Sequence, residues 1–514
     1  MALEMKKNSS GLSKSCILII VVASVERFAY KGVASNLLSY LTHHVKMSTS
    51  SAAKSVSTWS GVTSMLPLAS AILADSYWDR YSTITVSSLL YIMGFVGLTS
   101  WALLCAWMPT SSLFLPLCLI SLGQGGYNPS LQAFGADQLD AEDERSKEKS
   151  MFFQWWYFGI CSGSLLGNSI MSYIQDTFGW GLGFAIPTCA MAVSVACFLC
   201  ASRFYVHKIP DRPTESIVRA AKLAVAKFRS RSLISLKNDA VELELQAKPL
   251  GSSSDCTGGD VADEPPGVAK TILRLLPIWT MLLMFAVIFQ QPLTFFTKQG
   301  MMMKHSIGQR RIVIPPAMLQ SAITMSIILI MPLYDKLIIP FLHLLTGKEK
   351  GISVLQRIGI GMCLSVVAMV VAAVVESKRI RILQQSGGGR HEDPLQLESQ
   401  LSIFWLLPQY ILLGISDVFT VVGMQEFFYT EVPATMRTIG IALYLSVFGF
   451  GSFLSALLIS VLEFFSNANG KNQSWFSDDI REARLDSYYW FLASSSAISF
   501  LAFAYLCRHY SNMN

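Results

Sequence analysis

Residues 208–231 read KIPDRPTESIVRAAKLAVAKFRSR. They open a long polar stretch, roughly 206–269, in a chain of 514 residues that is 52% hydrophobic and only 14% charged. Soluble domains carry about 25% charged residues. The rest of the chain is a succession of apolar runs of about 20 residues or more, the length that spans a bilayer. Six precede the polar stretch, roughly 16–42, 56–75, 83–108, 113–134, 151–176 and 181–205. Six follow it, roughly 271–297, 313–340, 351–376, 400–429, 438–465 and 486–508. Lipid offers no partner to unpaired backbone groups, so these runs are expected to be helices. The expected fold is an all-α membrane protein with twelve transmembrane helices in two six-helix bundles, residues 1–205 and 270–514, joined by a linker over 206–269. Such halves suggest a rocking-bundle transporter with its solute site between them near the midplane. A channel or a membrane-embedded enzyme shares the same span count.

The linker holds Val218, Ala221, Val225 and Phe228 at helical spacing, with Arg219, Lys222 and Lys227 elsewhere on the wheel. This predicts an amphipathic helix lying along the membrane or the bundle. Residues 250–267, LGSSSDCTGGDVADEPPG, predict disorder by composition. The first apolar run is too long for a signal sequence and reads as a span. Lys6, Lys7 and Lys14, the linker and Arg508 place both termini in the cytoplasm by the positive-inside rule. The stretch ESKRIRILQQSGGGRH, 376–391, is basic on the opposite face and runs against that rule. There too Asn472-Gln473-Ser474 forms a glycosylation sequon, a pattern common by chance. The membrane is plasma or vacuolar, with no decisive targeting segment. A net charge of +6 without a basic soluble domain argues against nucleic acid. The ten cysteines lie mostly within spans, and Cys197 and Cys200 suit packing better than metal or redox chemistry. No metal and no cofactor is expected, and no nucleophile–base pair or phosphate loop points to an enzyme.

A charge at the bilayer centre costs about 2.5–3.5 kcal/mol on insertion scales and usually faces a cavity. The first run, with VVASVERFAYKGVAS at 21–35, carries Glu26, Arg27 and Lys31. Arg27 and Lys31 are i,i+4 neighbours, tolerable where a carboxylate or an anion sits between them. The plain alternative for Lys31 is snorkelling to water. Asp417 and Glu426 are nine residues apart in the tenth run and point to opposite helix faces, so one of them is expected to line the path. Glu426 is the candidate proton carrier, with a permanently paired structural Glu as the alternative. Asn128 sits beside Pro129 and the glycines 123, 125 and 126, where it could bond a ligand. Gln290, Gln291 and Thr294 flank Pro292, and either helix–helix bonding or solute contact explains them. No histidine falls inside a span, which argues against an imidazole proton relay.

The stretches ERFAYKGVASNLLSYLT, SAILADSYWDRY, GQGGYNPSLQAFGADQ, FFQWWYFG, YIQDTFGWGLGFAIP, RLLPIW and QEFFYTEVPATMR occur in order along nearly the whole chain. Together they resemble the plant nitrate/peptide transporter family, the plant branch of the proton-coupled oligopeptide transporters within the major facilitator superfamily. The resemblance implies a twelve-span major-facilitator fold, alternating access, and usually proton-coupled import of nitrate, peptides, hormones or defence metabolites. It implies a proton-coupling role for Glu26, Arg27 and Glu426. The family's E-x-x-E-R motif has Ala23 at its first Glu here, its span-four Lys is Asn128, and its Tyr-Tyr-Gly is Tyr30-Lys31-Gly32. A histidine that contacts nitrate in the best-known nitrate-transporting member aligns with Phe289. Counting Glu26, Arg27 and Lys31 alone leaves one excess cation, so Lys31 is expected to pair with Glu426 or with an anionic solute. The expected solute contacts are Tyr30, Lys31, Asn128, Phe289, Gln290, Gln291, Thr294 and Glu426. The expected function is secondary transport of a small anion, nitrate first, by a proton-linked but degenerate mechanism. The alternatives are a weakly coupled carrier or exporter of a hormone, peptide or specialised metabolite, and a transporter-like nutrient sensor. Partners are the solute, protons and the lipid bilayer. Serines in the linker and termini make a kinase a candidate regulator.

Overall fold

The protein was described from a computed structural model, which covers residues 14–77, 80–104, 109–138, 146–206, 267–304, 306–307, 312–334, 353–386, 399–431, 437–468, 475–477 and 483–511. The expected linker helix and the Asn472 sequon lie outside the described residues. In the first half run α1 (Lys14–Ala34), α2 (Thr49–Tyr77), α3 (Arg80–Leu104), α4 (Phe114–Asp137), α5 (Ser146–Leu166), α6 (Ser172–Phe178) and α7 (Trp180–Cys200). The second half holds α8 (Gly267–Phe289), α9 (Phe295–Met301), α10 (Ser321–Leu333), α11 (Val354–Ser386), α12 (Leu407–Thr430), α13 (Arg437–Ala468) and α14 (Leu485–Ser511). Eight described helices are long and apolar enough to cross a membrane by length and composition alone. The first helix is not among them because of the charges that make it interesting.

Helix breaks fall where the backbone demands them. Gly179 adopts φ 94°, a left-handed conformation open to glycine, and turns α6 into α7. Pro292 withholds an amide after α8, and a 3₁₀ turn over Gln291–Leu293 leads into α9. Residues Gly167–Met171 form a π turn between α5 and α6. This turn packs so closely on α1 that a Cβ on Gly167 would stand 2.6 Å from the Phe28 carbonyl oxygen. By contrast Pro129 stays within a continuous α4. Two small two-stranded pairings, Met303–Lys304 with Ser399–Ser402 (parallel) and Ser306–Ile307 with Ile312–Val313 (antiparallel), lie in loops.

Call the end of the bundle where α1 begins the near end and the opposite end the far end. The halves meet along α2 and α13, where Gly61 admits the Phe453 ring. At the far end the Ser50 hydroxyl and the Lys54 ammonium donate to the two oxygens of Glu463 at 2.6 and 2.8 Å. Nearby the Gln320 amide donates to the Ser35 carbonyl at 2.9 Å. The basic stretch predicted to lie between spans begins inside α11, in its last turns, and two of its cations are held there. Arg379 is fully buried and clasps Glu376 through Nε at 3.1 and 3.0 Å and through a terminal nitrogen at 2.7 Å. Lys378 places its ammonium 3.7 Å from the centre of the Trp405 ring. These cations are held by the protein, which removes much of their weight as topology signals.

Candidate functional site

The polar face of α1 is built around a carboxylate. Glu26 is 1% exposed, and its Oε1 accepts a hydrogen bond from the Tyr91 hydroxyl of α3 at 2.9 Å. Its Oε2 lies 3.7 Å from Arg27 Nε. From α4, Asn128 completes the cluster. With the amide turned to suit both neighbours, its nitrogen donates to Glu26 Oε2 and its oxygen accepts from Arg27, each at 3.2 Å. A neutral amide can serve a carboxylate and a guanidinium together. A lysine here would serve the carboxylate and repel the guanidinium. With the buried Ala23 in place of a second α1 carboxylate, Asn128 is the residue type that satisfies both groups. Arg27 also stands 5.7 Å from the centre of the Tyr30 ring, which packs 5.7 Å from Trp59 of α2. Arg27 Nε itself has no hydrogen-bond partner.

One turn on, Lys31 faces the other half. Arg27, one turn back, repels it, and Asp417 of α12 attracts it across the seam, with no nitrogen–oxygen contact within 4.0 Å between the two. Asp417 Oδ1 is buried with no hydrogen-bond partner. Tyr157 and Cys161 of α5 and Tyr444 of α13 are also within its electrostatic reach.

Glu426 is placed differently from the expectation that it meets Lys31. It lies nine residues along α12, on the opposite side, with Oε2 3.7 Å from Arg357 of α11. The Arg357 guanidinium stacks 4.3 Å over the Tyr334 ring. The Glu426 side chain is 37% exposed. Glu26, Asp417 and Glu426 thus stand against Arg27, Lys31 and Arg357, three charges of each sign. The cation that looks surplus on α1 is balanced from the opposite half.

The residues around Pro292 are engaged within the second half. Gln291 donates to the Val287 carbonyl at 3.0 Å and to the Tyr488 hydroxyl of α14 at 3.3 Å. Thr294 donates to the Gln290 carbonyl at 3.1 Å, and Gln290 is buried with its own side-chain oxygen unpartnered. Phe289 is half-buried, 5.3 Å from Phe448 of α13 and 6.3 Å from Phe285. The structure therefore brings together Glu26, Arg27, Tyr30 and Asn128, sets Lys31 opposite Asp417, and leaves Glu426 and the Gln290–Thr294 group elsewhere. Sequence reasoning took Glu426 rather than Asp417 as the proton carrier. Nothing in the sequence marks Tyr91, one aromatic residue in an apolar run, as the clasp on Glu26. A separate groove of about 660 Å³ between α1 and α7 is lined by side chains such as Val21, Leu182 and Val193, which are exposed on the outer surface. Its walls suit lipid rather than a charged solute.

Comparison with known proteins places this arrangement. The POT family profile matches residues 81–476. NRT1/PTR family protein 5.9 of Arabidopsis thaliana is 51% identical over 553 residues, covering 99% of this chain and 98% of the relative. NRT1/PTR family protein 5.10 of the same plant is 42% identical over 532 residues, covering 98% and 94%. Among solved structures, the POT family transporter PepTSo superposes with a TM-score of 0.73 at 18% identity, covering 98% of this chain and 99% of that one. An auto-inhibited POT family peptide transporter gives 0.74, also at 18%, covering 96% and 97%. Those two likenesses bear on the fold, and the Arabidopsis relatives bear on the family. The chain belongs to the POT family and is a multi-pass membrane transporter, not an enzyme.

Proposed function

We propose that the protein carries a small anionic solute, nitrate the first to test, by alternating access through the seam between its halves, with protons as the coupled ion. The observation that carries this reading is Lys31. It is a cation on the seam, attracted by Asp417 from the opposite half but not in direct contact with it. Such a cation suits an anion that enters between the two. The Glu26–Arg27–Asn128–Tyr91 cluster holds the helix that presents it. The bonds at Glu463 and Ser35 close the far end, while the exposed Glu426 side chain marks the near end as the accessible one. On the positive-inside reading the near end is cytoplasmic, in a plasma or vacuolar membrane.

A second reading draws on the aromatic walls. Tyr30 and Trp59 lie on one half, and Phe289, Phe448 and Tyr444 cluster on the other. Flat rings on both sides suit a larger organic solute such as a hormone, or another specialised metabolite, with weaker proton linkage. Uptake into proteoliposomes of nitrate, a dipeptide and a set of plant hormones, at pH 5.5 and 7.5, separates the readings. Saturable nitrate uptake that rises at the lower pH supports the first. Hormone uptake with none of nitrate supports the second.

A further inference from the structure

We propose that Cys197 and Cys200, at the near end of α7, are S-acylation sites, and that the long-chain acyl group they carry lies in the groove between α1 and α7. By sequence, packing is the expected role of both cysteines. The structure corrects this, because both are free thiols exposed on the outer surface. Val193, Cys197 and Cys200 fall at i, i+4 and i+7 and are all exposed, so they share one outward face of α7. Cys197 and Cys189 also line the groove, with Leu18 and Val25 of α1 and Leu182 and Val193 of α7 among its other walls. Leu182 and Cys197 stand about 22 Å apart along the helix at the usual rise per residue. The hydrocarbon core of a bilayer is about 30 Å deep, so a chain that fills one leaflet reaches about 15 Å. The groove accommodates such a chain over its full length. None of its wall residues is charged, and the hydroxyl of Ser194 is taken up by the Val22 carbonyl at 3.4 Å.

The thiols sit where an acyl donor can reach them. Cys200 is the last residue of α7, and a 3₁₀ turn, Ala201–Phe204, follows it. The Ser15 hydroxyl of α1 donates to the Phe204 carbonyl at 2.9 Å, which holds the mouth of the groove between the start of α1 and the end of α7. Gln138, just after α4, fixes the next residues: its side-chain nitrogen donates to the Val206 carbonyl at 3.1 Å, and its oxygen accepts from the Val206 amide at 2.9 Å. Lys14, Arg203 and Phe204 are exposed around this mouth, a basic and aromatic set that suits the boundary between bilayer and water. Juxtamembrane cysteines of this kind accept reversible S-acylation. The inference rests on the reading of the near end as cytoplasmic, since long-chain acyl-coenzyme A is a cytosolic donor. The step exchanges one thioester for another. The cysteine sulfur attacks the acyl carbonyl carbon, the bond from that carbon to the coenzyme A sulfur breaks, and coenzyme A leaves as a thiol with the proton the cysteine gave up. The tether then makes entry into the groove intramolecular, so the groove stays filled where a diffusing lipid would exchange.

The test uses the full-length chain in plant protoplasts. A C-terminal tag is expected to be cut by added protease once the plasma membrane is selectively permeabilised, and spared in intact cells. Any other pattern removes the orientation reading and, with it, the route for acylation. Hydroxylamine cleaves thioesters, and each thiol it frees can be given a maleimide mass tag. Wild type is expected to gain one or two tags only when hydroxylamine is present. Cys197→Ser with Cys200→Ser is expected to gain none and to keep its elution profile. Cys118, exposed in the first turns of α4 at the far end, is the control thiol and is expected to stay unmodified. No hydroxylamine-dependent tag in wild type, or tags retained in the double variant, overturns the inference while the orientation stands. A palmitate analogue with a photoreactive diazirine, followed by light and peptide mass mapping, then locates the chain. Adducts on residues 18–25 of α1 that vanish in the double variant support its place in the groove. Adducts that are absent from wild type, or that persist in the double variant because bilayer lipid fills the groove, overturn it.

Discussion

The bond cluster at the far end offers a prediction whose size can be worked out. Glu463 of α13 accepts from Lys54 at 2.8 Å and from Ser50 at 2.6 Å, both on α2 of the other half. These bonds exist only while the far end is closed, so removing them shifts the balance between closed and open states directly. The Lys54 and Glu463 side chains are 30% and 28% exposed. Water and salt screen such an ion pair, which is worth about 0.2–1 kcal/mol. The serine bond to a charged oxygen would contribute about 1.5–3 kcal/mol if fully buried, and partial exposure places it at or below the bottom of that range. Together they hold the closed state by roughly 1–2 kcal/mol, a factor of about 5–30 in its population. Glu463→Gln keeps an acceptor for Ser50 and loses only the ion pair, so a shift of about fivefold or less is expected. Glu463→Ala loses both bonds and takes the full shift. Pulsed electron resonance between labels at Ser48 and Phe465 reads the populations, in a background with the exposed cysteines replaced. A double-mutant cycle with Lys54→Gln isolates the pair. If Glu463→Ala leaves the closed fraction unchanged, the far-end bonds do not hold the gate, and the view of this end as a latch is wrong.

Other expectations follow from the same contacts. Asn128→Lys should lower uptake more than tenfold, because it sets a further cation in contact with Arg27, where Glu26 is the carboxylate in contact among the described residues; adding Ala23→Glu should recover much of the loss, and uptake assays on the single and double variants check this. Glu376→Gln strands a fully buried Arg379 and should cost about 3–5 kcal/mol of stability, seen as a large drop in Tm, whereas Glu376→Leu with Arg379→Met should come close to wild type. Arg357→Gln should cost less than about 1 kcal/mol, since Glu426 is left in contact with water rather than buried; a Tm loss as large as that of Glu376→Gln would contradict the burial argument.

How far the sequence reaches depends on what kind of signal a residue leaves. Long apolar runs and one polar interruption reveal two helical halves because backbone desolvation dominates everything else in a bilayer. Glu26, Arg27 and Lys31 stand out for the same reason, being too costly in lipid to be incidental. Pairing is harder to read. Helical periodicity correctly puts Asp417 and Glu426 on opposite faces, but it cannot say which face meets the other half. That depends on how α12 is rotated against α11, and Arg357 took Glu426 while Lys31 fell to Asp417. The far-end cluster joins residues more than 400 positions apart in the chain, and local spacing carries no trace of it. The basic run in the last turns of α11 misleads for a related reason. Charge counting treats every cation as free, and here Glu376 and the Trp405 ring hold two of them.

The most direct test of the central claim is whether a proton and an anion move together past Lys31. Proteoliposomes loaded with a pH-sensitive dye should acidify inside when nitrate is added outside, and a protonophore should abolish net nitrate accumulation. Lys31→Gln, reconstituted to the same level and shown folded by its elution profile, should lose the acidification. Nitrate uptake without internal acidification in wild type, or acidification unchanged in Lys31→Gln, would contradict it.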